Sequence, residues 1–237
     1  MWLSQRVSFK CSVLCAVLLY SIHSHDYSLL VATAHCIVGS IVQQVVVNFT
    51  RFDVLQANDG YVNLSSFDKL IVQQNGGYVR NVSKVIRHPD HDSYTKVNDI
   101  ALVFLDSPVF GIPLIKINGN NTKIPYDHQL LTMIGAGRTE FEGLLPTQLM
   151  EVQLPNRSPS VCNASHYFDY YGIIFEPTVM ICAGGSSGYE NKSTCKGDSG
   201  MSLCVCSCVE CLSESLVEIP YKVPGTSCST RIITNSQ

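Results

Sequence analysis

The sequence predicts an all-β fold, on three observations. Short apolar or alternating runs are separated by clusters of Gly, Asn, Asp and Pro, the spacing of strands and turns. No segment sustains apolar residues at the helical period. The length of 237 residues suits one large all-β domain or two small ones, and 46% hydrophobic against 15% charged residues supplies a packed core and excludes global disorder.

Taken from the N-terminus, Arg6 and Lys10 precede an apolar run over residues 11–22, with small and polar residues around Ser21 and Ser24. A basic start followed by an apolar run too short to span a bilayer reads as a signal peptide over residues 1–24; the other reading is a buried strand or helix of the first domain. Candidate strands follow at residues 41–49, 78–86, 100–105, 129–135, 148–154 and 178–183. Residues 100–105, Ile-Ala-Leu-Val-Phe-Leu, are apolar throughout and read as a strand buried on both faces. In residues 148–154, Met150, Val152 and Leu154 alternate with Glu151 and Gln153, so one face is wet. The break at 118–125 reads as a linker between two halves of a domain spanning 25–200, and 201–237 as a Cys-rich tail.

The net charge of −3 and the lack of any basic run exclude nucleic acid as the main partner, because phosphate binding needs clustered positive charge. Eleven cysteines point to an oxidising compartment and disulfides. Their odd number leaves at least one thiol unpaired or bonded between chains. Asn-x-Ser/Thr triplets at Asn48, Asn63, Asn81, Asn120, Asn156, Asn163 and Asn191 agree with the secretory route and with glycosylation. Cys204-x-Cys206-x-Cys208-x-x-Cys211 has spacing a metal could use, but in a secreted chain disulfides are the expected fate of these thiols.

Three segments carry chemistry together: Ala32-Thr33-Ala34-His35-Cys36, Asn98-Asp99-Ile100-Ala101-Leu102 and Cys195-Lys196-Gly197-Asp198-Ser199-Gly200. In order they offer a base, an orienting carboxylate and a nucleophile. A Ser hydroxyl is a weak nucleophile at neutral pH. A His must take its proton, and a buried carboxylate must hold that His in the right tautomer. Gly on both sides of Asp198-Ser199 permits a tight turn that can aim the Gly197 and Ser199 amides at a developing oxyanion.

These segments resemble the signature motifs of the chymotrypsin/trypsin family of serine peptidases, in its order His, Asp, Ser. Ile134-Gly135-Ala136-Gly137-Arg138-Thr139 is similar to the family's Gly-Trp-Gly strand, with Ala136 where Trp is usual. Leu145-Pro146-Thr147-Gln148-Leu149 and Met180-Ile181-Cys182-Ala183-Gly184-Gly185 match as well. The similarity runs from about Leu29 to Gly200. It implies a chymotrypsin-like double Greek-key β-barrel and serine endopeptidase activity, with His35 as general base and then acid, Asp99 orienting it, and Ser199 attacking the scissile carbonyl. It further implies Gly197 and Ser199 in the oxyanion hole, Asp198 paired with a freshly cut N-terminus, and a Cys162–Cys182 disulfide. Cys195 would be bonded to one of the cysteines beyond the nucleophile. Ser193, six residues before Ser199, falls on the floor of the primary specificity pocket. Ser there resembles the chymotrypsin and elastase types, with no fixed charge for Lys or Arg; the plainer reading of Ser193 is a loop residue in the Asn191 sequon. The resemblance implies no cofactor and no metal, protein or peptide substrates, protease inhibitors as partners, no membrane span, a monomer, and a secreted location.

Both ends depart from the family. The Ile-Val-Gly-Gly-like start expected before the His motif is not there; Ile37-Val38-Gly39-Ser40 follows His35 instead. The first barrel is therefore expected to be incomplete, and Asp198 to need another partner or to stay a poorly stabilised charge. Beyond Gly200 the chain reads Met201-Ser202-Leu203-Cys204 where the family has Gly-Pro-Leu. The Ser-Trp-Gly strand that pairs with substrate is not recognisable, and Thr230-Arg231-Ile232 bears only a faint similarity to the closing strand. The departures suit a truncated or mis-spliced product or a divergent isoform. They predict weak turnover, and they define the rival reading, a non-catalytic protease homologue that binds a partner.

Overall fold

Leu29–Ala32 is a run of apolar residues, all buried, and a strand enclosed on both faces needs nothing else. It is the second strand of a five-stranded antiparallel sheet in a computed structural model of the chain, comprising β1 (Leu18–Tyr20), β2 (Leu29–Ala32), β3 (Gln44–Val47), β4 (Tyr78–Arg87) and β5 (Ala101–Leu105) in the order β1-β2-β5-β4-β3. The structure describes residues 18–20, 28–35, 37, 44–47, 77–110, 116–117, 126–135, 137–140, 143–144, 146, 150–163, 175–184, 194–195, 197–200, 202–205, 210–212 and 231–232.

Ala101, Val103 and Leu105 of β5 point into a core with Leu30, Ala32, Ala34, Ile37, Val45 and Val109. Fully burying a side chain such as Leu30 or Val103 stabilises by about 1.5–3 kcal/mol. The expectation that this segment is buried on both faces needs correction, because Leu102 and Phe104 are only half-buried. Opposite Phe104 and Leu105, β4 carries a bulge between Val82 and Lys84. The extra residue, Ser83, spends its hydroxyl on the Phe104 and Leu105 carbonyls at 3.1 and 3.2 Å, so the extra length leaves these polar groups paired.

A seven-stranded sheet follows, made of β6 (Lys116–Ile117), β7 (Leu130–Gly135), β8 (Met150–Arg157), β9 (Cys182–Ala183), β10 (Ser202–Val205), β11 (Glu210–Leu212) and β12 (Arg231–Ile232). The order is β12-β8-β7-β10-β11-β6, with β9 paired to β8; β6 and β11 run parallel. The chain changes sheets between Leu105 and Lys116, while the expected linker at 118–125 lies outside the described residues. Met150, Val152 and Leu154 are buried and Gln153 is exposed, the alternation read from the sequence. The strand continues past Pro155, which lacks an N–H and reads as a stop. It is tolerated opposite Leu130 at the beginning of β7, where its carbonyl accepts the Gly184 N–H at 2.9 Å.

The single helix among the described residues is α1 (Pro159–Asn163). A disulfide joins its Cys162 to Cys182 on β9, with Cα atoms 6.0 Å apart, and both sulfur-bearing residues sit in a small core with Phe175 and Met180. The strand expected over 178–183 shrinks to two residues. Upstream, the Glu176 carboxylate accepts the Thr178 amide and hydroxyl at 3.1 and 2.7 Å, and the Glu176 carbonyl accepts the Val179 N–H, so turn chemistry wins over the apolar run. Three further segments pair into these sheets. Leu18–Tyr20, inside the segment read as a signal peptide, pairs with β2. The tail beyond Gly200 contributes β10 to the flank of β7, with Leu203 buried, and β11 beside it. Arg231–Ile232 pairs with β8.

Candidate active site

The register of β2 against β5 sets Ala32 opposite Ala101. In an antiparallel pair, the chain leaving one strand emerges beside the chain entering the other. His35, just after β2, and Asp99, just before β5, therefore meet although 64 residues apart. The His35 amide donates to Asp99 Oδ1 at 2.7 Å, and the His35 ring donates from Nδ1 to Oδ2 at 2.5 Å. The carboxylate is held in a tight turn in which the Ile100 N–H donates to the Asn98 carbonyl at 2.8 Å. Asn98 takes φ 54°, a left-handed conformation that Asn adopts at small cost.

Ser199 approaches from the second sheet. It follows a turn closed by the Asp198 N–H on the Cys195 carbonyl at 3.0 Å, with Gly197 at φ 102° and Gly200 at φ 77°, and it precedes β10. Its Oγ lies 3.0 Å from His35 Nε2. Asp99 and Ser199 are each 2% exposed, whereas the His35 side chain is 25% exposed. With its hydrogen on Nδ1 facing the carboxylate, the imidazole turns its Nε2 lone pair to the Ser199 hydroxyl. That arrangement can move a proton from oxygen to nitrogen.

Asp198, 5% exposed, accepts the Gly137 amide at Oδ1 (2.7 Å) and the Cys195 amide at Oδ2 (2.8 Å). Of the two expectations for Asp198, another partner or a poorly stabilised charge, the structure gives the first: main-chain donors from two segments solvate this carboxylate. Cys195 is disulfide-bonded. Ser193 lies outside the described residues, so the floor of the specificity pocket is not described. Sequence reasoning passed over His91. Its side chain is 6% exposed, and its Nδ1 stands 3.8 Å from Asp99 Oδ1 and 3.3 Å from the Val97 carbonyl. The one available signal was a second histidine in His88-Pro89-Asp90-His91, eight residues before Asp99.

The family model described as Trypsin matches residues 21–208. The chain belongs to the trypsin family. It is 37% identical over 123 residues to the Serine protease filzig of Drosophila melanogaster, covering 51% of this chain and 7% of that protein. To the Vitellin-degrading protease of Bombyx mori it is 34% identical over 130 residues, covering 54% and 47%. To the Anionic trypsin of Canis lupus familiaris it is 32% identical over 172 residues, covering 72% and 58%. The chain thus spans less than two thirds of the length of these relatives. In this trypsin-family chain the family match reaches beyond the similarity read from the motifs at both ends. It takes in β10, which follows the Ser199 turn, and stops one residue short of β11. Among the described residues no helix is long and apolar enough to cross a membrane.

Proposed function

We propose that this trypsin-family chain is a secreted serine endopeptidase using His35, Asp99 and Ser199. The observation that carries the reading is the unbroken line of contacts from Asp99 Oδ2 through the His35 ring to Ser199 Oγ, at 2.5 and 3.0 Å. Ser199 Oγ attacks the scissile carbonyl carbon while His35 Nε2 takes its proton. The imidazolium is stabilised by Asp99. The carbonyl oxygen, now an oxyanion, is received by the Gly197 and Ser199 amides. On collapse the C–N bond breaks, His35 returns the proton to the leaving amine, and an acyl-enzyme remains on Ser199. Water, deprotonated by His35, hydrolyses that ester and regenerates the hydroxyl.

The resemblance assigns Ser193 to the floor of the primary specificity pocket, and a Ser in that role, which brings no fixed charge, favours apolar or aromatic side chains over Lys and Arg. Protein or peptide substrates and protease inhibitors are the corresponding partners. The Cys162–Cys182 bridge supports an oxidising, extracellular location. Peptide substrates differing only in the residue before the scissile bond test the reading, with Ser199→Ala as blank. Cleavage favouring Phe or Leu over Arg is expected. Preference for Arg would remove the assignment of Ser193, and folded protein as inert as Ser199→Ala would leave the rival, a partner-binding homologue.

A further inference from the structure

Residues 88–100 form a loop that carries Asp99, and its main chain closes on itself. The His88 N–H donates to the Ile100 carbonyl at 3.0 Å, the Lys96 N–H to Asp92 at 2.9 Å, and the Asp92 N–H to Val97 at 3.1 Å; the Asn98 side chain donates to the Asp90 carbonyl at 3.1 Å. Inside this loop lies His91, with one ring nitrogen, Nδ1, facing the Val97 carbonyl and Asp99 Oδ1. Both neighbours are acceptors, so the hydrogen sits on Nδ1. The other ring nitrogen, Nε2, is buried with no hydrogen-bond partner among the described residues. The polar contacts of this buried ring among the described residues are thus all made through Nδ1, on the side that faces Asp99.

The Asp99 carboxylate has about four acceptor sites. Two donors from His35 meet it directly, and the His91 ring stands 3.8 Å from Oδ1. We propose that His91 is a positioning residue for Asp99: its Nδ1–H ties down the Val97 carbonyl and sets an N–H dipole beside Asp99 Oδ1, keeping the carboxylate aimed at the His35 ring. The inference rests on the peptidase reading of the site and adds to it a group that neither touches substrate nor exchanges a proton. At 3.8 Å the contact with the carboxylate is not a hydrogen bond. Its effect is charge–dipole attraction in a water-poor setting, added to the mechanical hold on the turn through Val97.

Three substitutions separate this role from packing. Phe at position 91 keeps the ring and removes the N–H. Asn places its amide nitrogen where Nδ1 stands, and Gln places it where Nε2 stands. The readouts are the rate at which a fluorophosphonate labels Ser199 and the low-field proton resonance of His35 Nδ1–H against Asp99, with melting curves confirming the fold. His91→Phe should label about ten- to a hundredfold more slowly, short of the roughly 10⁴ that follows loss of the orienting carboxylate's function, and should move the resonance. His91→Asn should recover most of the rate and restore the resonance, while His91→Gln should not. If the Phe variant fails to fold, the Asn and Gln variants make the same comparison. Wild-type labelling rate and an unmoved resonance in His91→Phe, or equal behaviour of Asn and Gln, would overturn the inference. A wild-type protein that is folded yet unlabelled would sink the peptidase reading instead, and the resonance alone would then decide the role of His91.

Discussion

The Gly137 amide donates to Asp198 Oδ1 at 2.7 Å, and the same close approach leaves no room for a side chain. A Cβ on Gly137 would stand 2.6 Å from Asp198 Cγ and 2.7 Å from the Asp198 amide nitrogen. Because Asp198 directly precedes Ser199, Gly137→Ala should push the nucleophile turn out of place. The expected result is destabilisation of about 1–3 kcal/mol, the usual cost of overpacking, read from denaturant unfolding, together with slower labelling of Ser199. A variant with unchanged stability and labelling would show that the strand end and the turn are not coupled.

Asp99→Asn tests the orienting role. Two N–H groups of His35 point at the carboxylate, and an amide offers an oxygen to only one of them. The ring is then driven to carry its hydrogen on Nε2, which can no longer accept from Ser199. Turnover should fall by about 10⁴ with the fold retained, measured as kcat on a peptide substrate beside a circular dichroism spectrum. A loss below about tenfold, less than about 1.4 kcal/mol of barrier, would mean that Asp99 is not the residue that sets the tautomer.

Glycan mapping of secreted protein should separate three of the sequons. Asn156 is 7% exposed and donates to the Tyr126 carbonyl at 3.1 Å, so it should be unmodified in folded protein. Asn81 and Asn163 are exposed and open to modification. A glycan on Asn156 in protein that binds the fluorophosphonate would contradict the packing of β8.

Acid titration should report on Asp106. The Asn81 side chain donates to its carboxylate at 2.7 Å and, as the largest cause, holds its pKa below the ordinary 3.8. A group depressed in the folded state contributes stability that is present above its unfolded pKa and is lost as pH falls through the folded value. Asn81→Ala should therefore lower stability near neutrality and flatten its decline on the acid side, followed by thermal melting between neutral pH and about pH 3. The exposure of the pair keeps the effect small.

The chemistry-bearing segments were legible in the sequence because Ser, His and Asp in these local settings are read from residue type and order. What joins them is not local. His35 meets Asp99 through the register Ala32↔Ala101, which no single segment contains. The alternation in β8 was legible up to Leu154, but Pro155 hid the rest, since its tolerance depends on its place opposite the beginning of β7. Residues 178–183 misled for the opposite reason: Thr178 and Val179 look strand-like until Glu176 folds back on them. Residues 202–205 were opaque because their strand character comes from pairing with β7 rather than from a recognisable motif. His91 was missed because its distance to Asp99 exists only once residues 88–100 close.

The most direct measurement is to locate a fluorophosphonate adduct by peptide mass spectrometry on folded protein. The account predicts one adduct, on Ser199, absent from Ser199→Ala and slowed by about 10³–10⁴ in His35→Ala, where no base remains to take the proton. An adduct on another residue, labelling of Ser199 that is indifferent to loss of His35, or no adduct in folded protein would contradict it.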